Sequence, residues 1–387
     1  MASVTVVVPT YNRAALLEAT LRSILVQTVP IDEIIVVDDG STDNTEEVCG
    51  RQPKSVRYIR QQNSGLPAVA RNRGIDQASG SWIALCDSDD IWHPQKLEVQ
   101  LAAMKAAGVE WSVTGFELIG PDGMRVPSRR LGFEREFAVF KQTRRTPSEH
   151  FARWLARTQI PTSVGSVDVF SGDAFGMLFE GNVCLTSTAL IARHLLSRAG
   201  TFDPGFIRAE DTEFFHRLSA YAPVAIVMHP LIEYRVGHPS VMSARDLSPF
   251  MKFTLESLDR TARLRPEMTS AERQAHRRGR ARLHMTLAYE RLSSLDRSGA
   301  RRALYDGWRD GAISPRSMAL FAATMVPLVV LKGMHSAKRT LRTAVQAVSA
   351  RGAPRIKAQR IRSTMNEYKR PAETETASQT ESDRDAG

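Results

Sequence analysis

Cysteine is scarce: Cys49, Cys86 and Cys184 are the only three in 387 residues. An odd, widely spaced set excludes a disulfide framework and a zinc-binding Cys pattern, and fits a reducing compartment. Long apolar runs are missing too. The stretch "MALFAATMVPLVVL" (318–331) falls short of the roughly 20 residues a helix needs to span a bilayer. The N-terminus "MASVT" has no basic n-region and no small-residue cleavage site, so no secretory signal is expected and the expected location is cytoplasmic. Glycine is absent from "PTYNR" (9–13), which follows the first strand-like run. Without a G-x-G-x-x-G or glycine–lysine loop there, a dinucleotide-dependent dehydrogenase and a P-loop NTPase are disfavoured. Enzymes that build nucleotide-sugars want such a loop as well. Acids are in deficit, 42 against 52 Lys and Arg, for a net charge of +10. That suits an anionic partner. No recognised nucleic-acid module and no aromatic interleaving accompany the charge, so nucleic acid is not the expected one.

What is present is an alternation of strand and helix signals. "SVTVVVP" (3–9), "EIIVVDD" (33–39), "SVRYIRQ" (55–61) and "SWIALCD" (81–87) are short β-rich runs. Between them, "AALLEATLRSILVQ" (14–27), "STDNTEEV" (41–48) and "LPAVARNRGIDQA" (66–78) carry helical spacing or helix-start residues. Repeated strand–helix–strand units predict an α/β chain with a mostly parallel sheet and helices on both faces. Further along, 109–120, 182–192 and 224–236 read as strands and 209–221 as a helix. Residues 121–165, rich in Arg, read as an irregular excursion from the core.

Ligands of open parallel sheets bind outside the carboxyl ends of the strands. Three unusual polar clusters fall there: Pro9-Thr10-Tyr11-Asn12-Arg13, Asp38-Asp39-Gly40-Ser41 and Asp87-Ser88-Asp89-Asp90. Asp87 and Asp89 share one side of an extended chain, so a cation or water must separate their charges. Asp90 points to the other side and reads as a loop or helix-capping residue.

Four stretches together, "VTVVVPTYNRAALLEATLRSILVQT", "EIIVVDDGSTDNT", "NSGLPAVARNRGI" and "WIALCDSDDIWHPQKL", resemble glycosyltransferase family 2. The likeness resumes in "GTFDPGFIRAEDTEFFHRL" and "YRVGHPSVMS" and covers about 1–245 in outline. It implies a GT-A domain over 1–245 and inverting transfer from a nucleotide-sugar to a glycan or lipid-linked acceptor, as in cell-surface polysaccharide assembly. Pro9 and Tyr11 then face the nucleobase, Asp39 accepts its hydrogen bond, and Arg71 lies near the nucleotide. Asp87 meets the ribose, and Asp89 meets a divalent cation, Mn²⁺ or Mg²⁺, that bridges the diphosphate. His238 resembles an additional metal ligand, although here it follows Tyr234-Arg235 by one residue more than the family spacing. Asp211 matches the general base. At a helix N-terminus a carboxylate favours its ionised form, so a base there needs apolar cover or a neighbouring acid such as Glu210. A plain helix cap is the other reading of that pair. The competing reading of the whole chain is a non-catalytic nucleotide-binding or scaffolding module.

From about Lys252 the pattern is helical and basic through 252–365. Five Arg fall between Arg273 and Arg282, and Lys332 to Arg370 holds eleven Lys and Arg against the single acid Glu367. These are solvated faces, or contacts to a phosphorylated acceptor or an anionic membrane on the inner face of the cell. Residues 318–331 read as a buried core helix or as an interfacial one with snorkelling cations. The acidic stretch 371–387 reads as a disordered tail.

Overall fold

The four leading runs become β1 (Val4–Thr10), β2 (Glu33–Asp38), β3 (Val56–Arg60) and β4 (Trp82–Leu85), ordered β3-β2-β1-β4 and parallel throughout. This computed structural model describes residues 3–126, 133, 137, 139–140, 145–237 and 247–326. Val6, Val7, Val8 and Ile34 to Val37 are wholly buried, as expected of parallel strands covered on both faces. The connections are α1 (Ala14–Leu25), α2 (Thr45–Gly50) and α3 (Pro67–Asp76). α1 buries Leu17, Leu21 and Ile24 along one stripe.

Beyond β4 come the short β5 (Ile91–Trp92), α4 (Lys96–Ala107) and β6 (Trp111–Ile119). The sheet continues β4-β9-β6-β10, with β9 (Leu190–Ala192) antiparallel to both neighbours and β10 (Val224–Arg235) parallel to β6. β6 and β10 therefore point the same way as the first four strands, and their carboxyl ends share one edge.

Two expectations need correcting. Of 182–192, only Leu190–Ala192 is strand, and Thr186–Thr188 is a 3₁₀ turn. Hydroxyls drive the difference: Thr188 Oγ1 donates to the Leu185 carbonyl at 2.6 Å and Ser187 Oγ donates to Asp90. The second concerns 121–165, which is not wholly an excursion. Its described part includes α5 (Pro147–Phe151) and β7 (Ala156–Thr162), which pairs with β8 (Gly165–Gly172) as a hairpin on the sheet edge. Phe133, Phe140 and Phe151 pack edge to face in the core. The arginines masked a set of phenylalanines whose burial dominates the energetics.

The helical part follows α6 (Phe175–Glu180), α7 (Arg193–Ala199) and α8 (Glu210–Tyr221). It comprises α9 (Ser248–Leu264), α10 (Ser270–Ser293), α11 (Arg297–Arg309) and α12 (Pro315–Ala323). Thr269 and Glu272 close a capping box at the start of α10. Phe175 and Phe179 of α6 pack with Leu258 of α9 and Leu283 and Leu287 of α10. His216 of α8 binds Ser257 of α9 at 2.8 Å. Met1–Val326 accordingly forms one compact unit. α12 is not a buried core helix: Met318 is 62% exposed, and Ser317 is its one fully buried residue. Residues 327–387, including the rest of the apolar run and the acidic tail, lie outside the described residues.

Candidate functional site

The loops after β1 and β2 are tied to each other. Asn12, at φ 51°, donates its N–H to Ser41 Oγ at 2.8 Å, and its side-chain oxygen accepts the Thr42 N–H at 2.8 Å. Asn tolerates this left-handed backbone better than most residues. Tyr11 is left 48% exposed beside half-buried Pro9, an open aromatic face above the sheet edge. Asp39 is buried, and its carboxylate accepts from Gln61 Nε2 at 2.7 Å, Ser64 N at 3.0 Å and Gly65 N at 3.2 Å. A base donor arriving there shares an acceptor that already orders the 61–65 loop. Gly40 makes this possible. Its φ is +80°, and a Cβ would stand 2.8 Å from the Asn63 nitrogen.

The next feature is a clamp. Arg71, 5% exposed, reaches Asp87 Oδ1 with Nη2 at 2.8 Å and Glu210 Oε1 with Nη1 at 3.0 Å. Its guanidinium lies over the Phe202 ring, 5.2 Å from the centroid. Burial works against its charge, but Asp87 and then Glu210 outweigh it and hold Arg71 more firmly protonated than an ordinary arginine. Close packing positions it. At Gly74, one turn on, a Cβ would meet Val7 Cγ1 at 2.4 Å, so only glycine lets α3 sit this near β1. Asn72 adds a two-way bond to the Phe202 backbone, at 2.7 and 2.9 Å. Adjacent residues of α3 thus draw the 202–211 loop against the end of β4.

Asp90 departs from the sequence expectation. It is 1% exposed and accepts from Ser187 Oγ and from the Arg235 N–H. It is not a surface cap. Burial, then Asp89 and Asp87, push its carboxyl well above the usual range. The period-two argument fails because the strand ends at Leu85 and the chain turns, the Asp90 N–H bonding to the Asp87 carbonyl at 3.2 Å.

Asp211 is the second residue of α8, whose start follows Ala209 in the left-handed region at φ 58°. Its Oδ1 accepts the Thr212 N–H at 2.6 Å. Burial first, and Glu210 second, push it up to about 7 against the opposing pull of Arg71. Either burial or a neighbouring acid was asked of a base at a helix start, and Asp211 has both. It lines a cavity of about 380 Å³ together with Glu210, Thr212, Phe250, Leu258 and Arg282. This space was not legible in the sequence, because its walls come from segments far apart in the chain.

Arg235 was also missed. It donates to the Asp89 carbonyl, to the Leu16 carbonyl at 3.1 Å and to Thr20 Oγ1 at 3.2 Å, fixing the carboxylate loop to α1. Its adjacency to Tyr234 in the "YR" pair was the available signal. Among the described residues no three His, Cys, Asp or Glu gather to hold a metal, and His238 lies outside them. The expected metal ligand Asp89 offers carboxylate oxygens, the donor type a hard cation takes, with room for ligand oxygens and water in its shell rather than a closed protein cage.

Residues 5–160 match the family model "Glycosyl transferase family 2". The chain is 40% identical over 124 residues to Bacillus subtilis TuaG, whose name assigns it to teichuronic acid biosynthesis; that covers 31% of this chain and 49% of TuaG. The chain spans about a quarter to a half of the length of such curated relatives. In structure it is similar to Staphylococcus aureus TarS 1–349 solved with UDP-GlcNAc (TM-score 0.56, 19% identity, 82% of this chain and 83% of TarS 1–349). It is also similar to the Pyrobaculum calidifontis mannosyltransferase PcManGT solved with GDP-Man and Mn²⁺ (TM-score 0.50, 18% identity, 92% and 88%). Fold and family model agree: the chain carries a family 2 glycosyltransferase domain on the GT-A fold.

Proposed function

We propose that the protein transfers a sugar from a nucleoside-diphosphate sugar to an acceptor hydroxyl, with inversion, in cell-surface polysaccharide or glycolipid assembly. The observation that carries this reading is the Arg71 clamp, which draws the Asp87 carboxylate and the Glu210–Asp211 helix start into one cleft at the strand ends. Asp211 takes the acceptor proton as its oxygen attacks the anomeric carbon, and a carboxyl raised to about 7 is suited to that task near neutral pH. Tyr11 and Pro9 receive the base, Asp39 accepts from it, and Asp87 meets the ribose. Asp89, with His238, would hold a divalent cation, which when bound offsets the negative charge growing on the leaving diphosphate. Arg71 keeps the cleft assembled between two carboxylates.

Nucleoside diphosphates with Mn²⁺ or Mg²⁺ are expected to raise the melting temperature of the purified chain, because a ligand that binds only the folded state stabilises it. The metal-dependent part of that shift should vanish in Asp89→Ala. A full shift in this variant rules Asp89 out as a ligand.

A peripheral membrane contact is part of the same proposal. No helix among the described residues is long and apolar enough to cross a membrane. Ile313, Met318 and Met325 are nonetheless exposed at 71%, 62% and 52%, and the basic 332–370 sequence follows them. In flotation with vesicles rich in anionic lipid, the chain should rise, and the Met318→Asp/Met325→Asp variant should rise less. Equal flotation, or none by either, removes the contact.

A further inference from the structure

The cavity beside Asp211 is lined largely by apolar side chains, and Arg208 and Arg282 line it without an ion pair within 4.0 Å among the described residues. Phe250, Met251 and Leu258 come from α9, and Leu283 and Arg282 from α10. Arg282 has one hydrogen bond among the described residues, to the Glu180 carbonyl. Among the described residues it makes no ion pair within 4.0 Å. The Glu180 carboxylate is instead taken up by Arg153 at 2.6 Å, with Arg278 further off at 3.7 Å. Neighbouring His150 adds no charge, since burial holds it down to about 4. Three arginines thus surround one carboxylate. Arg208, which also lines the cavity, makes no ion pair among the described residues either. Desolvation pulls Arg282 down to about 10, still charged at neutral pH. A desolvated guanidinium that shares the Glu180 charge with Arg153 and Arg278 is costly unless something else anionic meets it.

We infer that this cavity binds an acceptor combining an apolar body with an anionic group, phosphate or carboxylate, that pairs with Arg282, while the acceptor hydroxyl is presented to Asp211. The inference rests on the assignment of Asp211 as the base and adds the class of acceptor. Glu210 joins the two halves of the site: it holds Arg71 on the donor side and lines the cavity. The C-terminal helices are then the acceptor-selecting part of the enzyme.

The test titrates the full chain with decyl phosphate, decanoate, decanol and inorganic phosphate, all kept below micelle-forming concentrations. One or both decyl anions should bind saturably, and whichever binds identifies the anion. Decanol and inorganic phosphate should bind about tenfold or more weakly. Arg282→Gln should weaken the anion about ten- to hundredfold, the range for a hydrogen bond to a charged group. Met251→Trp, which fills the cavity from α9, should abolish binding, and it decides the matter if Arg282→Gln fails to fold. Decanol binding as tightly as the anions, no binding by either anion, or unchanged affinity in both variants would overturn the inference. Nucleoside diphosphate binding is measured on the same samples. A chain that binds nucleotide but no decyl anion sinks this inference alone. A chain that binds the anion and no nucleotide sinks the sugar-transfer reading and leaves the cavity site standing.

Discussion

Asp211→Asn is expected to cut sugar transfer by about 10²- to 10⁴-fold, the usual worth of a positioned general base, while nucleotide affinity is largely kept. The amide is nearly isosteric and can still accept the Thr212 N–H, so the start of α8 should survive. The rate of the unsubstituted chain should climb as pH rises toward about 7 and level off above it, since only the ionised carboxylate accepts a proton. The variant should lack that limb. Stability carries the opposite sign. An unfolded Asp titrates near ~3.9, so between there and about 7 the folded chain holds the extra proton. The stability associated with neutral Asp211 is complete below the unfolded value, declines as pH rises toward 7, and is constant above. Asp211→Asn should remove that slope and leave the protein more resistant to denaturant than the unsubstituted chain at pH 8. Equal loss of nucleotide binding and transfer would instead mark Asp211 as a structural cap.

Arg71→Leu should be the most damaging single change to the fold around the cleft. It strands Asp87 and Glu210 as two carboxylates facing a vacated space. Breaking one side of a buried ionic arrangement costs about 3–5 kcal/mol. Side-chain exposures of 31% for Asp87 and 17% for Glu210 put the expected loss at the lower end. Arg71→Lys keeps the charge but cannot span both partners with a planar fork, so it should recover only part of the loss. The triple change Arg71→Leu, Asp87→Asn, Glu210→Gln separates stability from function. Removing all three charges should restore much of the denaturant midpoint without restoring nucleotide binding. A stable, nucleotide-binding Arg71→Leu would show that the clamp holds nothing of consequence.

Much of the strand-end architecture was readable from residue order because it depends on local pattern. β-branched runs gave β1, β2 and β4, and the rule that ligands gather at carboxyl ends picked out Tyr11, Asp39 and Asp87 before any coordinates. That a base at this position wants apolar cover or a second acid also followed from elementary electrostatics; burial and Glu210 both raise Asp211. What stayed hidden depends on contacts distant in sequence. Asp90 is buried because Ser187 and Arg235 meet it from 97 and 145 residues away. Arg71 was expected near the nucleotide, but its second bond comes from Glu210, 139 residues on, which no local pattern announces. The β7–β8 hairpin was missed because its outward-facing residues, such as Arg157 and Ser166, dilute the apolar alternation of Val167, Val169 and Phe170.

The His216–Ser257 bond has a consequence for how such chains diversify. The helix that carries Asp211 is shared property: its first residue, Glu210, meets the Arg71 clamp, and its middle is fastened to α9. The residues proposed to read the donor sit between positions 9 and 89, whereas α9 and α10 furnish the inner wall of the cavity. On the proposed acceptor role of the cavity, exchange of side chains along α9 and α10 alone would redirect the molecule to a different recipient without retuning the proposed nucleotide half. The limit on such drift is that Ser257, facing His216, must stay where it is, since its loss would let the one helix common to both halves slip.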